Sequence, residues 1–498
     1  MATRYRPTFL AVLLAWVIPM HAQCVQLGEA GVGEVLVFPF FNTEMGWDTY
    51  LELTLDGGDT PQIIKIHVRD DINGDIINSF NLYQWFGPGA IRGAVYNWRA
   101  AITKDSQGNP VLRVAEGPCT ISNEGVGGEA GSSFPLNASV GSIEVYAVSA
   151  KLTRELRESI ADCDQIVERW EPQGDWHDNP DADLEEVVSG PPSYNISGLA
   201  TVINVSDGLS ASYRPLSFVE FADQIPHTTP SADSPTLADA NPVAILPGGQ
   251  EFTPQSGEGI DAVAYLIGVS SNGLNAIQNN EEFDRDYTGQ YAGHITNQVI
   301  QSTAIGARTE WVLSYPLSGY KSYRPFEVSV DGEVRQCETV GSSIQDGGSL
   351  LIPKHAAVYG PVPVHSDHAW RIIESWGAGN RLKIGVLDIS PPGPEPSGSG
   401  LCHAVNILGF EDQAAVLIPE KARNLYRLRN EVLWSPENAN DSSNPDSVTL
   451  RWHIFDPEGS PEIPRPVVGF RLTVFKNGTL NGGSTLANYA ILQSHYSH

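Results

Sequence analysis

Apolar and polar positions alternate with a period of two through much of the chain, and the run from Gly33 to Trp98 shows it best. Ile64, Ile66 and Val68 fall on one side of an extended segment, with Lys65, His67 and Arg69 on the other. That alternation is the signature of a strand buried on one face only. Asn73-Gly74 follows and supplies the pair that a type I′ turn favours, because both central positions of that turn need positive φ. On the return, Phe80 and Leu82 share one face while Ser79, Asn81 and Tyr83 share the other. Val35 to Phe40, Tyr50 to Leu55, Ala90 to Trp98, Val111 to Val114 and Gly141 to Ala150 read as further strands. Antiparallel strands at this spacing predict an immunoglobulin-like β-sandwich at the N-terminus.

From Leu152 to Trp170 the period changes: Leu156, Ile160, Cys163, Val167 and Trp170 recur at helical spacing and predict the clearest helix. An acidic, Pro-rich stretch, 171–192, then breaks the pattern. Beyond it lie a hairpin (Leu199 to Val205, turn Ser206-Asp207-Gly208, Leu209 to Tyr213) and a Ser-, Pro- and Asp-rich loop from Asp223 to Pro254. Strand-like runs resume at Ala262 to Val269, Thr309 to Tyr315, Phe326 to Val330, Leu382 to Ile389, Leu401 to Phe410, Val448 to Phe455 and Val467 to Phe475. The last meets Asn477-Gly478, a second type I′ signal. The expected organisation is a segment 1–22 outside the fold, a sandwich with a terminal helix over 23–170, a linker over 171–192 and a second β-rich, sandwich-like region over 193–498. The fold class is mainly β, with one or a few short helices.

Residues 1–22 read as a signal peptide: Arg4 and Arg6 precede an apolar run from Phe9 to Ile18, and Pro19 to Ala22 form a cleavage region. The run is too short to cross a bilayer as a helix, and no other segment approaches ~20 apolar residues. The expectation is export, to the periplasm or to the cell surface and beyond, with no membrane span. Gln23 makes a poor lipobox before Cys24. Net charge is −29, and −31 without Arg4 and Arg6, so nucleic acid and anionic membranes are repelled. Export also makes five cysteines informative, because disulfides persist in oxidising compartments. Cys119 with Cys163 and Cys337 with Cys402 are the nearest-neighbour pairings, each worth ~3 to 4.5 kcal/mol in the chain-entropy model. Other pairings stay open, and Cys24 is the odd one.

Taken in order, Gly33-Glu-Val-Leu-Val-Phe-Pro39, Lys65-Ile-His-Val-Arg69, Phe80-Asn-Leu-Tyr83, Gly141-Ser-Ile-Glu-Val145, Thr201-Val-Ile-Asn-Val205, Ala307-Arg-Thr-Glu-Trp-Val-Leu313, Val405-Asn-Ile-Leu408 and Val468-Gly-Phe470 through Leu486-Ala-Asn-Tyr489 resemble an uncharacterised family of exported proteobacterial β-rich proteins. The resemblance runs over the whole chain after residue 22 and rests on strand and turn patterns. It implies export and one multi-part architecture, and it favours the two cysteine pairings above. It brings no active site with it.

Candidate chemistry is sparse. Asp71, Asn73 and Asp75 look like the opening of a calcium loop, but glycine sits fourth and Leu82 stands at the twelfth position, where a bidentate Glu belongs. Asp175, Asp178, Asp181, Asp183 and Glu185 crowd carboxylates into one loop, where a structural Ca²⁺ would relieve their repulsion; a solvated acidic loop explains the same residues. His365, Asp367 and His368, with His355, offer a spacing that a transition metal could use, against a reading as exposed loop histidines. His495 and His498 read as a frayed C-terminus. Trp47, Trp85, Trp98, Trp170, Trp176, Trp311, Trp376, Trp434 and Trp452 raise a carbohydrate-stacking platform, against core packing. No Gly-x-Ser-x-Gly elbow, Walker loop, dinucleotide fingerprint or Cys-x-x-Cys is present, so no catalytic residue and no cofactor is assigned. The leading expectation is a non-enzymatic exported protein acting in the envelope or outside the cell by binding or assembly, with a carbohydrate or another copy of itself as partner. The alternatives are a secreted polysaccharide hydrolase or lyase using Asp/Glu, and a subunit of an extracellular polymer.

Overall fold

Strand periodicity becomes two large facing sheets in the computed structural model, which describes residues 24–28, 31–55, 62–83, 96–116, 119–122, 127–128, 131–153, 162–180, 182, 184–187, 195–246, 249–254, 257–272, 290–297, 306–318, 328–330, 333–335, 371–376, 383–386, 389–390, 404–410, 414–422, 424–428, 447–454, 468–480 and 485–495. Sheet A runs, in spatial order, β10 (Gly127–Gly128), β9 (Cys119–Ser122), β6 (Ile76–Tyr83), β5 (Ile63–Asp70), β12 (Val140–Ala147), β3 (Val35–Asn42), β17 (Leu216–Val219), β1 (Val25–Leu27), β18 (Ala244–Ile245) and β19 (Glu251–Phe252). Sheet B runs β11 (Ser133–Pro135), β8 (Pro110–Glu116), β7 (Tyr96–Lys104), β4 (Trp47–Leu55), β15 (Ile196–Asn204) and β16 (Leu209–Tyr213), with β2 (Val32–Gly33) also on β15. The chain is mainly β and of the sandwich class, as its periodicity predicts. Leu36, Phe38, Ile66 and Val145 from sheet A meet Leu51, Leu53, Trp98 and Val202 from sheet B in one dry core.

The outer side of sheet A is covered as well. Over one end lies α3 (Gly259–Asn272), whose Ile260, Val263, Leu266 and Ile267 pack on Val35, Val37, Tyr146 and Phe218. The sequence reads Ala262 to Val269 as a strand, and the structure corrects this. An apolar run of eight cannot reveal its period when every side is buried. Over the other end lie α1 (Cys163–Trp170), capped by Asp162 Oδ1 accepting the Gln165 amide, and α2 (Asp175–Asp178). Of the predicted helix, Cys163–Trp170 is helical, while Leu152 belongs to the ribbon β13 (Ala150–Leu152) with β14 (Leu184–Val187). Residues 154–161 lie outside the described residues.

Strands from both sides of the 171–192 stretch belong to the same two sheets. β15 pairs with β4 from Ile196↔Leu55 to Asn204↔Trp47, and β17 pairs with β3. Farther on come sheet D, β20 (Gln290–Asn297), β29 (Ser447–Ile454), β24 (Arg371–Trp376) and β25 (Lys383–Val386), and the ribbon β22 (Val328–Val330) with β23 (Glu333–Arg335). Sheet E is β26 (Ile389–Ser390), β28 (Leu425–Leu428), β27 (Val405–Phe410), β21 (Ala307–Ser314), β30 (Val468–Leu480) and β31 (Thr485–Ser494). Val312, Ile407, Phe470 and Leu472 of sheet E join the same core as sheets A and B. The loop 414–418 is held from both sides. Glu310 accepts the amides of Val416 and Leu417 at 3.0 and 2.9 Å, while the carbonyls of these two residues accept Trp47 Nε1 and Asn42 Nδ2 at 2.8 and 2.6 Å.

Candidate functional site

The hairpin of β5 and β6 does not present its polar face to water. Lys65, His67 and Arg69 are 1%, 0% and 3% exposed, which corrects the expectation of a strand buried on one side. Residues 225–238 lie across that face and bring backbone carbonyls to Lys65, His67 and Asn81. Lys65 Nζ donates to the carbonyls of Thr229 and Pro230 at 2.6 and 3.1 Å. Asn81 Nδ2 donates to Thr228 O at 2.8 Å. Arg69 Nε pairs with Glu144 Oε1 at 2.7 Å, and Tyr146 donates to the other carboxylate oxygen at 2.8 Å. These contacts follow from register, since β12 sets Ser142, Glu144 and Tyr146 opposite Arg69, His67 and Lys65.

Two histidines close the layer, and their partners define their tautomers. His67 Nε2 lies 2.9 Å from Pro235 O, a group that only accepts, so Nε2 carries the proton and Nδ1 accepts from Ser79 Oγ at 2.7 Å. His227 Nδ1 donates to Pro180 O at 2.7 Å, which leaves Nε2 to accept the Tyr83 hydroxyl at 2.8 Å. The Tyr83 oxygen in turn accepts Trp170 Nε1 at 2.9 Å and Asn81 Nδ2 at 3.2 Å. Trp176 stacks on Tyr83, and both tryptophan rings lie 5.1 Å from the His227 ring. Burial acts on the lysine and on both imidazoles. It lowers the Lys65 ammonium to about 7 and His227 to about 4, and it holds His67 well below the ordinary imidazole value.

The outward face of sheet B is different. Val32, Leu199 and Tyr50 are 38%, 36% and 45% exposed, and register places all three on that side. Val32 sits opposite Ser197, Leu199 opposite Glu52, and Tyr50 opposite Thr201, so the three apolar groups run diagonally across adjacent strands. Paired polar groups border them: Glu52 with Arg99 at 3.0 Å, Thr201 with Ser212 at 2.7 Å, and Thr54 with Asn97 at 3.1 Å. An apolar diagonal flanked by polar groups that already have partners is suited to a ligand with apolar faces and hydroxyl edges.

The residues singled out in the sequence are dispersed. Asp175 pairs with Arg169 at 3.5 Å and Asp178 is exposed, while Asp181, Asp183 and the Glu185 side chain lie outside the described residues. Among the described residues no three His, Cys, Asp or Glu side chains converge as a metal site. Asp71 is committed elsewhere: its Oδ2 accepts Asn424 Nδ2 at 2.9 Å, and its carbonyl accepts the Val405 amide. Cys119 and Cys163 form a disulfide with Cα atoms 5.3 Å apart, tying β9 to α1. Cys337, Cys402, His355, His365, Asp367 and His368 lie outside the described residues, and Cys24 is buried. His495 is buried too, not frayed: Nε2 lies 2.9 Å from Val312 O and Nδ1 3.0 Å from Asn297 Nδ2. Trp47, Trp98, Trp176 and Trp311 are fully buried, so these four form no stacking platform. The exposed ring, Tyr50, carries no local signal beyond its place in an alternating strand.

No protein-family profile matches the chain. No curated protein matches it either. Among solved structures there is a similarity to a toad ovary galectin in complex with thio-digalactose, at TM-score 0.14 and 8% identity, covering 23% of this chain and 92% of that one. No helix of the described residues is long and apolar enough to cross a membrane.

Proposed function

We propose that this chain is an exported protein that works by binding rather than by turnover, and that the outward face of sheet B is its binding surface. The observation that carries the reading is the contrast between two sheet faces. The face richest in ionisable groups lies under residues 225–238, with Lys65, His67, Arg69 and Glu144 bonded to neighbours. The other face leaves Val32, Leu199 and Tyr50 to solvent between polar pairs. A sugar chain, with C–H faces and hydroxyl rims, is the ligand chemistry this pattern favours; its ring contacts would fall on Tyr50.

The test is co-sedimentation of the full chain with peptidoglycan, cellulose and chitin, alongside a reducing-end assay on the same mixtures. Saturable binding to one of them without release of new ends is the expected outcome. Failure to bind all three, or steady release of new reducing ends, contradicts the reading.

A further inference from the structure

Residues 225–238 do more than cover sheet A, because the way they are held depends on neutral histidines. We propose that this segment is an acid-released strap, fastened to the polar face of sheet A by His227 and His67 and let go when those two rings take up protons.

The geometry of His227 carries the argument. Its Nδ1 hydrogen is spent on Pro180 O, so a second proton would have to sit on Nε2 and point at the Tyr83 oxygen. That oxygen already accepts Trp170 Nε1 and Asn81 Nδ2, and so both of its lone pairs are engaged. An imidazolium therefore cannot keep the contact with Tyr83, and a buried donor facing another donor costs the full desolvation of both. His67 adds an electrostatic obstacle. A proton on Nδ1 could be met by turning the Ser79 hydroxyl, but the resulting cation would lie in register between Lys65 and Arg69, and Glu144 across from it is already shared by Arg69 and Tyr146.

The other charged groups do not offset this. Lys65 faces the strap carbonyls and disfavours a charge on either ring. Arg169 lies over Trp176, 5.4 Å from its centre, on the side of α1 and α2. Asp233, within the strap, favours the Lys65 ammonium. Glu34 accepts the Phe221 amide just before the strap, and burial raises it to about 7, so it changes charge ahead of the histidines. Release would uncover Lys65, His67, Ser79 and Asn81, a cationic surface on a chain of net charge −29.

Hydrogen exchange of the full chain tests this, because the Ile225, Ala232 and Ala238 amides are bonded to Ser149 Oγ, Thr229 O and Thr236 Oγ1 and report on the strap directly. After correction for the pH dependence of intrinsic exchange, protection of these amides should fall about tenfold or more from pH 7 to pH 4.5, while β5 and β12 stay protected. In His227→Gln, which has no proton to take up there, the loss should be smaller, with His67 supplying what remains, and in His227→Gln with His67→Gln it should shrink to within about threefold. Tyr83→Phe is the second arm, informative even if His227→Gln loosens the strap at pH 7: with the opposing donor gone, Nε2 can take up a proton while the strap is still fastened, so the ratio of protection at pH 7 to that at pH 4.5 should shrink. The proposal is overturned if strap protection is unchanged at pH 4.5, if it is lost only together with β5 and β12, if a His227→Gln strap that is protected at pH 7 shows the full acid loss, or if Tyr83→Phe shows the full acid loss.

Discussion

Single residues in this protein behave as their burial dictates more than as their type suggests. Glu34 is the clearest case. Burial raises its carboxyl to about 7, against backbone hydrogen bonds from Phe221 and Glu220 that pull the other way. A folded-state value above the unfolded one means that the native form holds the proton more tightly, so stability is lost as pH rises from the ordinary carboxylate range through about 7. Glu34→Gln has no such loss. The stability gap between wild type and variant should therefore narrow, by on the order of 2 kcal/mol, between pH 5 and pH 8 in urea titrations; a gap independent of pH contradicts the assignment. Arg69 and Glu144 make a second residue-scale test. Arg69→Met strands a buried carboxylate and should cost about 3–5 kcal/mol, whereas the double replacement Arg69→Met with Glu144→Leu should cost less than the single change. Little of this is legible in the sequence: Lys65, His67 and Arg69 carry the alternation of an exposed face, and what lies over Lys65 and His67 is a segment more than 150 residues later in the chain.

At the scale of elements, existence and type were read well where the period was strict and poorly where burial erased it. β4 and β15, with inward Leu51, Leu53, Ala200 and Val202, follow their alternation closely. α3 did not announce itself, because a helix buried all round has no polar face to mark its turns. The Asn-Gly signals named flexible positions without naming their geometry. At 73–74 only the glycine has positive φ, 74°, and the connection is the five-residue loop 71–75, in which Asp70 Oδ1 accepts the amides of Asn73, Gly74 and Asp75. At 477–478 the glycine, with φ 87°, lies within β30 where its register against β31 shifts, which is a bulge and not a hairpin end. The disulfide belongs to this scale too. Its 44-residue separation predicts about 4 kcal/mol in the chain-entropy model. Cys119→Ser with Cys163→Ser should lower stability by about that much, and α1 should lose exchange protection before sheet B does.

Sheets A, B and E are joined through one hydrophobic core, and that is what the sequence could not express. The acidic stretch at 171–192 has the composition of a boundary, yet β15 and β17 beyond it complete sheets begun before it. Sheet E adds Phe470 against Phe40 and Tyr213, with ring centroids 5.7 and 5.0 Å apart. Glu310 fastens the 414–418 loop within this shared core, so Glu310→Ala leaves two buried amides without their acceptor and should cost about 2–4 kcal/mol. Because the core is continuous, that loss should appear in sheets A and E together as one displaced transition; two separated transitions contradict this account. The candidate binding face is a product of the same scale, since Leu199 comes from a strand far along the chain from those of Val32 and Tyr50 and meets them only in the folded sheet.

The most direct test of the central claim is the dissociation constant of the full chain for the polysaccharide it sediments with, measured for wild type and for Tyr50→Ala with Leu199→Ser. Both side chains are surface groups, so stability should change by no more than about 0.5 kcal/mol per site. The account predicts at least tenfold weaker binding by the double variant with its thermal midpoint held. Equal affinity in the two proteins contradicts it.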